Sequence, residues 1–259
     1  MTVSKPFASW NSFSAFSNAV RYQSRFFQDR RTNAFLRALS DSAERRVLTI
    51  GTTKALWRAQ VGFDNEEQTL DGVTYEEPVP YKAERMKPLR TSAYEGRVNP
   101  KGIPCLYVAS KKETAVSEVR PWLGALVSVA QMKVQREIRL VNCSEGHNSS
   151  LDLYFEEPDP SERETAVWRA ISRGFSEPVS PDPGVAEYAP TQVLAEHFKK
   201  IGYDGVVYAS KLADGFNVAL FDLEALSVID VRLYPVKAVR YEIGEMKNSY
   251  VVKHKRIGA

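Results

Sequence analysis

Arg58, Arg97, Tyr107, Glu118, Ser210 and Asn217 are the side chains of this sequence whose types and settings suit chemistry on an anionic ligand. An arginine fork grips two phosphate oxygens at once. Arg97 heads a turn-rich loop, GRVNPKG, whose glycines let the backbone come close to a ligand. A carboxylate such as Glu118 accepts hydroxyl protons and steadies positive charge that develops on a reacting carbon. Tyr107 alternates with Leu106 and Val108, so its ring faces the other side of a strand, where it can stack on a flat group and donate from its hydroxyl. Ser210 closes the apolar run GVVYAS at a rim position suited to a ligand oxygen, with no base arranged to make it a nucleophile. Asn217, in GFNVALF, holds either backbone or ligand. Each has a plainer reading: Arg97 paired with Glu95, Arg58 in a structural salt bridge, Tyr107 in the core, Glu118 a surface partner of Lys111, Lys112 or Arg120, Asn217 in a turn beside Gly215.

The elements around these residues can be read from apolar spacing. Residues 1–50 read as a helical extension, because Trp10, Phe13, Phe16 and Val20, then Phe27, Phe35, Leu36 and Leu39, recur at three- and four-residue steps. Its removal is expected to spare the chemistry. The remainder, 51–259, reads as the main domain. From Val47 the pattern shortens to VLTIGTTKALWRAQVG, which suggests a strand carrying Arg58. The polar stretch 61–96 has little periodicity and reads as a lid or surface excursion. Cys105 to Ala109 is the next strand, and Ser110-Lys111-Lys112-Glu113 has the form of a capping box that opens a helix. In that helix Thr114, Ala115 and Glu118 share a face, and Pro121 stops it just beyond Glu118. ALVSVAQMKV and REIRLVNCS read as strands and ETAVWRAISRGF as a helix, followed by a Pro/Ser-rich break at 176–184. Pro190 and Thr191 open a further helix with Leu194, Phe198 and Ile201 on its apolar face and Gly202 at its end. GVVYAS, FNVALFDL and one or two edge strands in SVIDVRLYPVKAVRYEI complete the core.

Composition narrows the function classes. A chain of 259 residues with 43% hydrophobic residues buries a sizeable core. Its net charge of +3 is a small surplus and not a basic stripe, so direct nucleic-acid binding is not implied. No stretch approaches the roughly 20 apolar residues of a spanning helix. With neither an apolar signal core at the start nor a lipidation signal at the end, cytoplasmic placement is expected. Cys105 and Cys143 are far apart and belong to no metal-ligand pattern, and His147, His197 and His254 are scattered. A metal site and a Ser/His/Asp arrangement are therefore not expected.

Taken together, LWRAQ, GRVNP, LYVAS, SEVRP, IGYDGVVYAS and FNVALFD resemble the RES domain family, named for characteristic Arg, Glu and Ser residues. The resemblance spans about residues 52–225. It implies an α+β fold related to ADP-ribosyltransferases, with a mixed or antiparallel β core and flanking helices beside the N-terminal helical segment. It further implies a bacterial toxin that breaks the nicotinamide–ribose bond of NAD+ by hydrolysis or phosphorolysis, without a metal. On that resemblance Glu118, Arg97 and Tyr107 are catalytic, while Arg58, Arg97, Tyr107, Ser210 and Asn217 bind NAD+. The implied partner is a neutralising antitoxin of the Xre type, and the helical segment is the place for any homo-oligomer contact. Transfer of ADP-ribose to a protein is the alternative activity. It is disfavoured because Val116 stands where arginine-directed transferases present a second Glu or Gln. A silent NAD-binding regulatory module is the alternative outside enzymology.

Overall fold

The computed structural model describes residues 6–146, 154–178 and 186–244. His147, His254, most of the 176–184 break and the C-terminal tail lie outside the described residues. The helices are α1 (Ser12–Tyr22), α2 (Arg30–Ala43), α3 (Lys112–Glu118), α4 (Pro160–Ser176) and α5 (Ala189–Lys200). The strands are β1 (Val47–Ile50), β2 (Ala55–Val61), β3 (Asp64–Leu70), β4 (Val73–Val79), β5 (Leu106–Ala109), β6 (Leu126–Val134), β7 (Ile138–Asn142), β8 (Gly205–Ala209), β9 (Phe216–Leu220) and β10 (Leu226–Pro235). Eight strands form one sheet in the order β1-β7-β8-β9-β5-β2-β6-β10. Every pairing in it is antiparallel except β7 with β8. A parallel pair needs a long crossover, and α4 and α5 lie in that connection. The class is α+β, as expected.

Alternation along the strands sends apolar side chains to both faces. On β8, Val206 and Tyr208 join one core cluster and Val207 joins another. The first cluster is roofed by helices: Trp168, Ile171 and Phe175 of α4 and Leu194 and Phe198 of α5 are fully buried. α4 begins where Asp159 accepts hydrogen bonds from the Ser161 and Glu162 amides, with Pro160 in the first turn.

The N-terminal helices are present, and they belong to this same core. Phe13, Phe16 and Val20 of α1 and Phe35, Leu36 and Leu39 of α2 sit in the cluster that holds Trp168 and Phe198. Trp168 Nε1 donates to Ser42 Oγ of α2 at 3.1 Å. The strand pattern that starts at Val47 forms two strands: Val47–Ile50 is β1, which extends the sheet along β7, and Arg58 lies on the separate β2. The β-branched, apolar run of β1 fits a pleated edge.

One local expectation is refined and two are corrected. The stretch 61–96 holds a surface excursion, and its form is a hairpin, β3 and β4, closed by Asp71-Gly72 with φ of 51° and 79°. This is the backbone that a two-residue turn of mirror type requires. Both strands are almost wholly exposed, so no alternation of polarity marks them. The Ser110 capping box does not form: Lys111 is the N-cap residue and Ser110 Oγ accepts the Phe216 amide at 2.9 Å, tying β9 to the start of α3. Ile201 lies past the end of α5 and is exposed, while Leu194 and Phe198 are buried as expected, together with Ala189 and Ala195.

Candidate active site

The register of the sheet sets out the floor of a cleft. Tyr208 of β8 pairs with Asn217 of β9, Asn217 with Ala109 of β5, and Ala109 with Trp57 of β2. This row of side chains crosses four strands, and all four line one cavity of about 420 Å³. Aromatic rings stand at its two ends and short side chains in its middle, so the floor is a trough. Trp57↔Ala109 is the single register pair between β2 and β5. Beyond it no register pair joins the two strands, and Arg58, Ala59, Tyr107 and Val108 on either side of that gap line the cavity.

Arg58 bridges that gap. Its Nη1 donates to the Tyr107 carbonyl at 2.8 Å, an oxygen that β2 does not reach with its own backbone. Its Nε is buried with no partner. Burial lowers the Arg58 pKa to about 10, with Tyr107 acting in the opposite direction. Arg97 Nη1 is likewise buried and without a partner, and the guanidinium stands 5.7 Å above the Tyr188 ring. Among the described residues no carboxylate pairs with Arg58 or Arg97, so the salt bridges of the plainer reading are not formed.

The backbone carrying Arg97 is clamped from two sides. Tyr107 Oη donates to Asn99 Oδ1 at 2.7 Å and accepts from the Val98 amide at 3.0 Å. From α5, Thr191 Oγ1 donates to the Arg97 carbonyl at 2.6 Å, and Gln192 Nε2 reaches the Gly96 and Asn99 carbonyls at 2.9 and 3.1 Å. Gly96 is required for space. A Cβ there would lie 2.6 Å from Tyr107 Oη and 2.8 Å from Asn99 Oδ1. The proton of the Tyr107 hydroxyl is thus spent on the loop, in place of the expected donation to a ligand. Burial also holds its pKa well above the ordinary value, so it stays a neutral donor.

Glu118 is the last residue of α3, which is anchored by buried Thr114 donating to the Asp214 carbonyl at 2.7 Å. The residue as a whole is exposed, and it lines the cavity together with Arg58 and Arg97. Its Oε1 accepts from Ser210 Oγ at 2.7 Å and from Asn217 Nδ2 at 2.6 Å. Among the described residues Oε2 has no protein donor. Ser210 Oγ also accepts from the Leu212 and Ala213 amides at 3.1 and 3.3 Å, so a small turn fixes the hydroxyl that fixes the carboxylate.

Arg58, Arg97, Tyr107, Glu118 and Asn217 therefore meet at one cavity, with Ser210 directly behind Glu118. Trp57 and Tyr208 at the ends of the floor, Tyr188 beside Arg97, and Asn99, Thr191 and Gln192 under the loop also belong to the site, without a local sequence signal that marks them. Cys105 lies outside this cavity, with burial pushing its thiol up to about 11, and His197 faces Ser40 of α2 at 2.7 Å.

The model of the RES domain family matches residues 55–242, from β2 to beyond β10. This chain belongs to the RES domain family. The match begins after α1, α2 and β1. No curated protein matches the chain. Among solved structures it is similar to that of the M. tuberculosis MbcT–MbcA toxin–antitoxin complex. The likeness covers 76% of this chain and 91% of that one, at 14% identity and a TM-score of 0.36.

Proposed function

We propose that this RES domain protein cleaves NAD+ between nicotinamide and ribose and passes the ADP-ribosyl group to water or inorganic phosphate, acting as the toxin of a toxin–antitoxin pair. One observation carries the reading. Two guanidinium groups with unpartnered N–H donors face the same cavity as a carboxylate whose second oxygen is free. Buried cations without an anion are costly, and a diphosphate satisfies both at once.

In this reading Arg58 and Arg97 hold the diphosphate and Glu118 Oε2 faces the sugar that bears nicotinamide. As the C–N bond breaks, its electron pair leaves with the ring nitrogen and neutral nicotinamide departs. The positive charge passes to the anomeric carbon and ring oxygen, where the carboxylate opposes it. Water or phosphate then bonds to that carbon and releases its proton to solvent. Ser210 and Asn217 act as positioning residues through Oε1, and Tyr107 acts by fixing the Arg97 loop. The exposure of Glu118 leaves room for the acceptor. The partner in this reading is an Xre-type antitoxin, and the compartment is the cytoplasm.

Val116, two residues before Glu118, packs in an apolar cluster with Ala115 and Val119. No second carboxylate stands there to orient a protein arginine, which favours a small acceptor. Chromatography of NAD+ incubated with the purified protein, with and without phosphate, tests the reading. Free nicotinamide with ADP-ribose, or with its phosphorylated form when phosphate is present, is the expected outcome. NAD+ recovered intact under both conditions overturns it.

A further inference from the structure

Tyr208 is a buried polar residue in the cavity that no role above uses. It is 5% exposed, and its ring is held against Phe175 of α4 with centroids 5.7 Å apart. Its side chain lines the cavity beside Asn217, the residue that grips Glu118. Among the described residues its hydroxyl has no hydrogen-bond partner. The hydroxyl is not one of the fully buried unpartnered atoms, so it is open to the cavity its side chain lines, where a ligand oxygen can take its hydrogen bond.

The position says which oxygen that is. Tyr208 is the register partner of Asn217, whose amide holds Glu118 Oε1, so phenol and carboxylate line neighbouring parts of one cavity. Tyr208 shares the cavity with Glu118 and Arg97, and both charges act on the phenol after burial as the largest influence. Burial and Glu118 raise its pKa, so the group remains protonated and donates.

We propose that Tyr208 is a substrate-binding residue whose hydroxyl donates a hydrogen bond to the ribose that carries nicotinamide, on the stretch of substrate between Glu118 and the guanidinium-held diphosphate. This rests on the NAD+ reading above. The contact makes the site selective for a dinucleotide with that second sugar over a plain nucleoside diphosphate.

The test compares two ligands that are not turned over, ADP-ribose and ADP, by titration calorimetry on the wild type and Tyr208→Phe. The substitution removes one oxygen and keeps the ring against Phe175. Loss of one neutral donor to a buried ligand oxygen corresponds to roughly tenfold weaker binding. The expected result is that loss for ADP-ribose with ADP unchanged. Equal weakening for both ligands means that the hydroxyl serves only the shape of the cavity, and no weakening of either means that it touches no ligand. Each of those outcomes overturns the proposal while leaving the NAD+ reading standing. Failure of the wild type to bind either ligand removes the NAD+ reading itself, and this proposal with it.

Discussion

Gly96→Ala is the sharpest structural probe of the site, because the reason for a glycine there is distance alone. The added Cβ would meet Tyr107 Oη at 2.6 Å and Asn99 Oδ1 at 2.8 Å, both far inside van der Waals contact. Neither atom yields freely. Tyr107 Oη is bonded to Asn99 and to the Val98 amide, and Asn99 is 2% exposed and also donates to the Tyr94 and Pro100 carbonyls. Relief means breaking the Tyr107–Asn99 bond and stranding buried polar groups, at about 2–4 kcal/mol in all. For a chain of this size that is a fall in Tm of about 5–15 °C, read by differential scanning calorimetry. Removing the obstructing oxygen should restore tolerance: in a Tyr107→Phe background the cost of Gly96→Ala should fall by at least about 1 kcal/mol. If Gly96→Ala melts with the wild type, or the two substitutions add to within about 0.5 kcal/mol, the packing of the Arg97 loop described here is wrong.

Other consequences concern charge and packing. Arg58→Met removes a buried cation that has no anion, so it should melt within about 1 kcal/mol of the wild type. The rise in Tm that inorganic pyrophosphate gives the wild type should vanish in this variant, and a retained rise would remove Arg58 from the anion site. Burial chiefly lowers the His197 pKa below its ordinary 6.5, with the Leu36 backbone opposing. The unfolded chain then takes up the proton first as pH falls, so stability should decline below about pH 6.5 and level off below the folded-state pKa. Urea unfolding of His197→Gln should lack that component, and superposable profiles would contradict it. Deleting residues 1–46 uncovers Trp168, Phe175 and Phe198, so the shortened chain should lose cooperative thermal unfolding, contrary to the expectation from sequence that the helical segment is dispensable. A shortened chain that still unfolds in one sharp transition would restore that expectation.

Much of the site was legible because its residues sit in short blocks with strong local signals. The apolar run 105–109 and the Thr114-Ala115-Glu118 face carried Tyr107 and Glu118 to the right elements. The helix face held even though the Ser110 cap did not, since Ser110 was claimed by the passing strand β9. Trp57 and Tyr208 were missed because what joins them is the strand order β8-β9-β5-β2, which no local pattern encodes. Thr191 and Gln192 support a loop almost a hundred residues earlier, and in the sequence they read only as the start of a helix. The β3–β4 hairpin had one available signal, Asp71-Gly72, without alternating flanks to support it. Its strands instead set Glu66 opposite Glu77 and Glu67 opposite Glu76.

Glu118→Gln is the substitution that isolates the proposed chemistry, because the amide oxygen can still accept from Ser210 and Asn217 while the negative charge is gone. Nicotinamide release from NAD+ should be followed by chromatography for wild type and variant at matched, saturating substrate, with calorimetric binding of ADP-ribose as the control. A fall in turnover of roughly 100- to 1,000-fold with binding retained is the expected result. Equal rates of nicotinamide release from the two proteins would contradict the assignment of Glu118 as the group that stabilises the sugar cation.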